Sequence, residues 1–211
     1  DNIMESGEGG RAVTIPDTVR HYVLPTDGSS SGAILTSAAL MVRSMQQKSS
    51  STKALFVLSK NCGMTIHNTL GVLRHFGVAE PKSLLDVLEA DGTDLLIEVH
   101  RRVSGASGLG ESNSQLPQKS TSSQEEEDEG YVLVCNEDSV RGLHLDALQT
   151  VIVVGRPAGP DEYTHIAGRT GRAGNRGNVV NVVSFEQAAA LTSWEKMLNI
   201  DFIPLEEGEE I

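Results

Sequence analysis

The sequence predicts an α/β domain in which a mainly parallel sheet lies between two layers of helices. Short apolar runs bounded by polar residues alternate with segments of helical period, the order expected of strands joined by crossover helices. A length of 211 residues suits one large domain. Apolar residues at 38% are enough for a packed core, and no internal repeat is visible.

The elements follow in order. Val19–Leu24 reads as a strand. Gly32–Met45 reads as a helix, with Ile34, Leu35, Ala38, Leu40, Met41 and Met45 as its apolar positions. Lys53–Leu58 is a buried strand, and residues 62–76 form a helix through Ile66, Leu70, Leu73 and Phe76. Ser83–Leu88 is expected as a short strand, and Asp94–Val103 as a helix entered through Asp91-Gly92. Tyr131–Cys135, Thr150–Val154 and Asn178–Ser184 are strands, and Glu186–Asn199 closes the domain as a helix. The total is five or six strands. Residues 104–130 are rich in Ser, Gly, Gln and Glu, with too few apolar side chains to offset the entropy of ordering; they are expected to be a disordered acidic insertion. Such an insertion is either a solvated loop or an arm for a protein partner. The expected organisation is a flexible segment 1–12, a domain 13–203 and an acidic tail 204–211.

Composition removes several functions. Aromatics at 4% argue against a stacking platform for bases or sugars. No apolar run approaches the roughly 20 residues that span a bilayer, so no membrane partner is expected. Cys62 and Cys135 are too far apart in sequence for a zinc ribbon, and both are expected to be free and buried. No metal site is expected in this chain. The net charge of −12 is concentrated: Glu125–Glu129 and the four glutamates at 206, 207, 209 and 210 carry nine negative charges, and the remainder stands at −3. The sequence opens on Asp1, without an apolar signal core or an Arg-rich transit segment, and is expected to be a fragment or processed product.

The chemistry is concentrated in Glu162-Tyr163-Thr164-His165-Ile166-Ala167-Gly168-Arg169-Thr170-Gly171-Arg172-Ala173-Gly174. Arg169 and Arg172, three apart on one helical turn, would share a side, and small residues around them would let backbone approach a ligand. Paired guanidinium forks suit a polyphosphate. A surface ion-pair cluster beside a Gly-rich turn is the competing interpretation.

This stretch resembles motif VI of the DEAD-box RNA helicases, Tyr-x-His-Arg-x-Gly-Arg-Thr-Gly-Arg-x-Gly. The run Val132 to His144 resembles motif V, and Lys53 to Ser59 resembles motif IV. The segment Ile15 to Val23 is similar to the leading strand of that family's C-terminal lobe. The likeness covers roughly residues 13–203 apart from the insertion. It implies a RecA-like lobe that closes over ATP and magnesium held mainly by an N-terminal RecA-like lobe of the same chain. Neither a Gly-x-x-x-x-Gly-Lys-Ser/Thr run nor an Asp-Glu-Ala-Asp run occurs here, so the fragment alone is expected to be inactive. The resemblance makes Arg169 and Arg172 the arginine fingers and places His165, Gly168, Arg141, Gly142 and His144 around ATP. It places Ser59, Lys60, Asn136 and Glu137 along RNA. For Ser59 and Lys60 an ordinary strand-to-helix turn is an equal alternative, and His165 could be a packing histidine.

The pattern is broken in four places. His144 stands where the family has the Asp of Arg-Gly-x-Asp, Ile166 where it has the Arg after the histidine, and Asn136-Glu137 where it has Thr-Asp. The Asn-Glu variant is met in some organellar members of plants and algae. The Gln-x-x-Arg after the third strand is missing; Leu95, Leu96, Ile97 and Val99 stand near its place, and Arg101 and Arg102 either end a solvated helix or reach RNA instead. Two functions follow: the C-terminal lobe of an ATP-dependent RNA helicase, or a degenerate RNA- or protein-binding scaffold of helicase ancestry, for example in ribosome assembly. In a two-lobed protein, His144→Asp is expected to raise ATP turnover if the imidazole limits the site; unchanged steady-state turnover would mean that the site has adapted to it.

Overall fold

The computed structural model describes residues 14–28, 30–89, 130–141, 145, 148–206 and 208. The expected segment 1–12, the helix 94–103, and the insertion up to residue 129 lie outside these residues, as do Gly142 and His144.

Among the described residues, seven strands form one sheet. In chain order they are β1 (Val19–Thr26), β2 (Lys53–Leu58), β3 (Pro81–Ser83), β4 (Tyr131–Asn136), β5 (Thr150–Val154), β6 (Gly177–Ser184) and β7 (Phe202–Pro204). Their order across the sheet is β3-β4-β2-β5-β6-β1-β7, and every pairing is parallel. The helices are α1 (Ser31–Lys48), α2 (Ile66–His75), α3 (Leu84–Glu89), α4 (Pro160–Ala167), α5 (Phe185–Thr192) and α6 (Glu195–Leu198). Short 3₁₀ turns follow β4 at Glu137–Val140 and precede β6 at Arg172–Gly174.

The period of two along each strand divides the core into two layers. On β2, Ala54, Phe56 and Leu58 face α1 and α2, packing with Leu35, Val42 and Leu73. Leu55 and Val57 face the other way, toward Tyr163, Ile166, Leu191 and Trp194. All six residues of β2 are buried, as a strand covered on both faces requires. The three-layer α/β architecture is therefore as expected. Cys62 and Cys135 are free and buried, and burial pushes the Cys135 thiol up to about 12. Among the described residues no helix is long and apolar enough to cross a membrane.

Three local expectations are corrected. Residues Leu84–Glu89 form a helix rather than a strand, and the strand is the three-residue β3 just before it. A short apolar run fits both periods, and here Leu84 is buried while Leu85 is exposed. The closing helix breaks in two at Ser193–Trp194 and ends with Asn199 in the left-handed region at φ 54°. The seventh strand, β7, lies beyond that break; Leu205 N–H donates to Val23 O at 2.8 Å, so packed structure runs past residue 203. Phe202 N–H points to the open side of β7 and donates to Glu195 Oε1 at 2.8 Å.

A buried polar chain ties α4 to the sheet. Asn181 Nδ2 donates to Tyr22 O at 2.9 Å and to the Tyr163 hydroxyl at 3.4 Å. That leaves the Tyr163 proton for His21 Nδ1, 2.7 Å away, and makes His21 neutral with its hydrogen on Nε2. Burial lowers the His21 pKa to about 4. The unfolded chain therefore takes up a proton between about pH 6.5 and 4 that the folded chain refuses, and stability falls as pH drops through that window. A shift of this size corresponds to roughly 3 kcal/mol. Urea unfolding of the native chain and of His21→Gln at pH 7 and pH 4.5 is expected to show a smaller acid loss in the variant.

Candidate functional site

Because all strands run one way, their carboxyl ends share one edge of the sheet, the place where open α/β sheets carry ligands. Ser59 and Lys60 follow β2, Asn136 and Glu137 span the end of β4, and Gly155 follows β5. Register aligns them, with Leu58 opposite both Asn136 and Val154. Asn136 is exposed. Glu137 is 3% exposed and acts as a brace: Oε2 accepts Lys60 N–H and Oε1 accepts Ala158 N–H, both at 2.8 Å. One carboxylate thus joins the turns after β2, β4 and β5. The Lys60 ammonium reaches Asp138 Oδ1 at 2.8 Å, and that hydrogen bond and charge hold its pKa above the usual lysine range. The Ser59 hydroxyl is buried without a partner among the described residues. It fills the space that a side chain on Gly155 would need, and Gly155 has φ +78°. Glycine is required there on both counts.

The helix α4 leaves this edge and crosses the sheet. Pro160 opens it, with Asp161 and Glu162 in the first turn, the residue types that suit a helix N-terminus. Arg141 lies over that turn, its guanidinium 3.1 Å from Glu162 Oε1 and 3.5 Å from Asp161 Oδ2. His165 Nε2 is 3.8 Å from the same Asp161 oxygen, one turn on. Arg141 and His165, both expected near a nucleotide, are thus brought together around one carboxylate.

The far end of α4 reaches the amino edge of the sheet. Gly168 ends the helix and is buried. Arg169 and Arg172 do not share the helical turn that their spacing predicts; the helix ends at Ala167 and they flank a reverse turn through Gly171. Arg169 Nε donates to His165 O at 3.0 Å and Arg172 Nε to Gly168 O at 2.8 Å. Between them, the Thr170 hydroxyl donates to Leu148 O at 2.7 Å and the Thr18 hydroxyl donates to Gly171 O at 2.9 Å. Gly171 has φ +69°, and a Cβ on it would strike Val19 and Thr18. Its smallness therefore serves packing against β1, and not the approach of a ligand. Arg169 is 5% exposed, and its pKa is lowered by burial and then by the charge of Arg172. The two cations are held close enough to repel.

The helicase conserved C-terminal domain family matches residues 99–174, which hold both the Arg141 turn and the Arg169–Arg172 turn. The whole fold matches too. Mss116p bound to ssRNA and AMP-PNP superposes with a TM-score of 0.58 at 17% identity, over 92% of this chain and 33% of that one. The C-terminal domain of the DEAD-box protein Dbp5 gives 0.56 at 14% identity, over 92% and 93%. The E. coli DEAD-box protein SrmB, bound to RraA, gives 0.55 at 16%, over 89% and 90%. The chain has the fold of the C-terminal lobes of DEAD-box proteins, and its residues 99–174 match the helicase C-terminal domain family. No curated protein matches it by sequence. The lobe spans about a third of the length of Mss116p.

Ile166 is 1% exposed and part of the core. The departure at this position is therefore a packing residue, and not a contact missing from an open cleft. Sequence reasoning overlooked Asp161 and Glu162 as the partners of Arg141 and His165, although Gly159-Pro160-Asp161-Glu162 is a helix-start signature. It also assigned Glu137 a ligand contact, whereas its carboxylate oxygens are spent on backbone N–H groups. Among the described residues no group of His, Cys, Asp and Glu could hold a metal ion. Replacing Glu137 by Ala would leave two N–H groups without their acceptor and is expected to cost about 2–4 kcal/mol by urea denaturation. Asp138→Ala, which removes an exposed pair, is expected to leave the midpoint unchanged.

Proposed function

We propose that this lobe serves an ATP-dependent RNA helicase, joined to an N-terminal RecA-like lobe that holds ATP and magnesium. The observation that carries the proposal is the Arg169–Arg172 turn. Two guanidinium groups are fixed through their Nε atoms, one of them nearly buried, and the charge of Arg172 is felt at Arg169. A pair held in this way would stabilise a γ-phosphate gaining charge in the transition state, as arginine fingers do. Arg141, His165 and Gly168 would line the same nucleotide, with Gly142 and His144 contributing from the adjoining turn. RNA backbone would follow the carboxyl edge past Ser59, Lys60 and Asn136, with Glu137 shaping the turns. Contacts of this kind read phosphate and sugar, not base sequence. That Mss116p was captured with ssRNA and AMP-PNP agrees with this assignment.

A second function, a scaffold that binds RNA or protein without turnover, draws on a different observation. Lys60 and Arg141, two of the cations at the carboxyl edge, are each paired with acids of the lobe itself. Self-neutralised cations attract phosphate weakly. The complex of SrmB with RraA is a precedent for protein binding, and the acidic stretch up to residue 129 would be the arm for such a partner here.

RNA-stimulated ATP hydrolysis decides between them. In a chain carrying both lobes, Arg172→Ala is expected to lower turnover by about 10³ or more while RNA affinity is retained. Equal turnover in the variant would remove Arg172 from the mechanism, and no turnover in either protein, with RNA still bound, would favour the scaffold.

A further inference from the structure

The helix α1 has two faces with different fates. Ile34, Leu35, Ala38, Ala39 and Val42 are buried on the sheet. A second stripe, Leu40, Met41, Ser44, Met45 and Lys48, recurs at helical spacing and faces a cavity of about 510 Å³ instead. The opposite wall is the chain just past β7, at Glu206 and Gly208. Leu40, 46% exposed, stands at its mouth. This volume lies within the range of roughly 300–1,000 Å³ typical of small-molecule sites.

The floor is polar where the sheet is elsewhere apolar. Along β5 and β6 the residues on this face are Ile152, Val154, Val180 and Val182, all buried and apolar. At the amino ends of the same two strands the series continues with Thr150 and Asn178, which line the cavity. Thr150 is 2% exposed, and neither its hydroxyl nor the Asn178 amide hydrogen-bonds to another described residue. Both groups are neutral, able to donate and to accept. Among the described residues no arginine lines the cavity. Lys48 and Glu206, the charged groups at its rim, are opposite in sign and engaged in interactions of their own. A phosphate-bearing ligand would find one cation, Lys48, offset by Glu206, whereas an apolar body finds Leu and Met walls that adapt to shape.

We propose that this cavity is a binding site for a small uncharged molecule with an apolar body and one hydrogen-bonding end, seated on Thr150 and Asn178. The site lies at the same amino edge as the arginine turn but on the opposite face of the sheet, and one residue joins the two. Gln149 lines the cavity, and its carbonyl accepts both Asn178 N–H at 2.9 Å and the Thr170 hydroxyl at 3.1 Å. A molecule bound here would rest against the backbone that positions Thr170 between the two arginines.

The probe is prodan, a neutral naphthalene with a ketone at one end whose emission shifts to shorter wavelength in an apolar site. Titrated onto the 211-residue chain, it is expected to bind saturably, one per chain, with a blue shift. Ser44→Trp fills the cavity from an exposed position and is expected to weaken binding at least about tenfold, equivalent to about 1.4 kcal/mol. Leu40→Glu, also at an exposed position, is expected to act in the same direction by charging the wall. Asn178→Leu should weaken binding several-fold while leaving the apolar volume in place. Circular dichroism melting of each variant identifies any that fails to fold, and the conclusion rests on those that do. Binding that does not saturate, or that is equally tight in folded Ser44→Trp and Leu40→Glu chains, would overturn the proposal.

Discussion

The parallel direction of all seven strands is the constraint on which the arrangement depends. No strand returns directly, so each connection must travel back across the full height of the sheet before the next can begin. The helix α4 is one such traverse. Its eight residues, about 12 Å of helix, carry the chain from the Glu137 brace to the Thr170 turn. The separation of the candidate RNA groups from the arginine pair is therefore set by the sheet's height, and a single rigid element links the two. Tyr163, fully buried at its middle, fixes the roll of that element through His21 and Asn181.

Polar groups do the positioning at both ends, and they do it from within. Glu137 spends its charge on backbone N–H groups of two neighbouring turns, and Thr170 spends its hydroxyl on the carbonyls before β5. Buried and hydrogen-bonded, such groups cannot drift without exposing an unsatisfied partner, so each holds its loop more firmly than an exposed ion pair could. The exposed pairs of Lys60 and Arg141 are of the other kind: solvent screens them, and a phosphate could replace either acid at small cost.

Much of this was legible in the sequence, and the exceptions have physical causes. Buried strands such as Lys53–Leu58 and Thr150–Val154 were plain because both faces are covered and the runs are continuously apolar. The three-residue edge strands were not, since Pro81–Ser83 and Phe202–Pro204 bury too little to leave a pattern. The spacing of Arg169 and Arg172 indicated that they belong together but implied a helix; Gly171, in the left-handed region, makes it a turn. Glu137 read as a ligand contact because sequence shows a charge and not its direction. The cavity beside α1 was invisible for a related reason: Leu40, Met41 and Met45 read as core, and only the placement of the sheet beneath reveals which stripe is left over.

The outer strand β7 has a consequence for assembly. Of its alternate residues, the ones that face away from β1 are Phe202 and Pro204: the first has its N–H taken by Glu195, and the second has none to give. An extended peptide laid along this margin would meet carbonyls without donors and could complete only half of a ladder. Growth of the sheet by strand addition is thereby blocked on this side. A partner that meets the lobe along this margin would have to do so through side chains, helices or loops, not by pairing a strand.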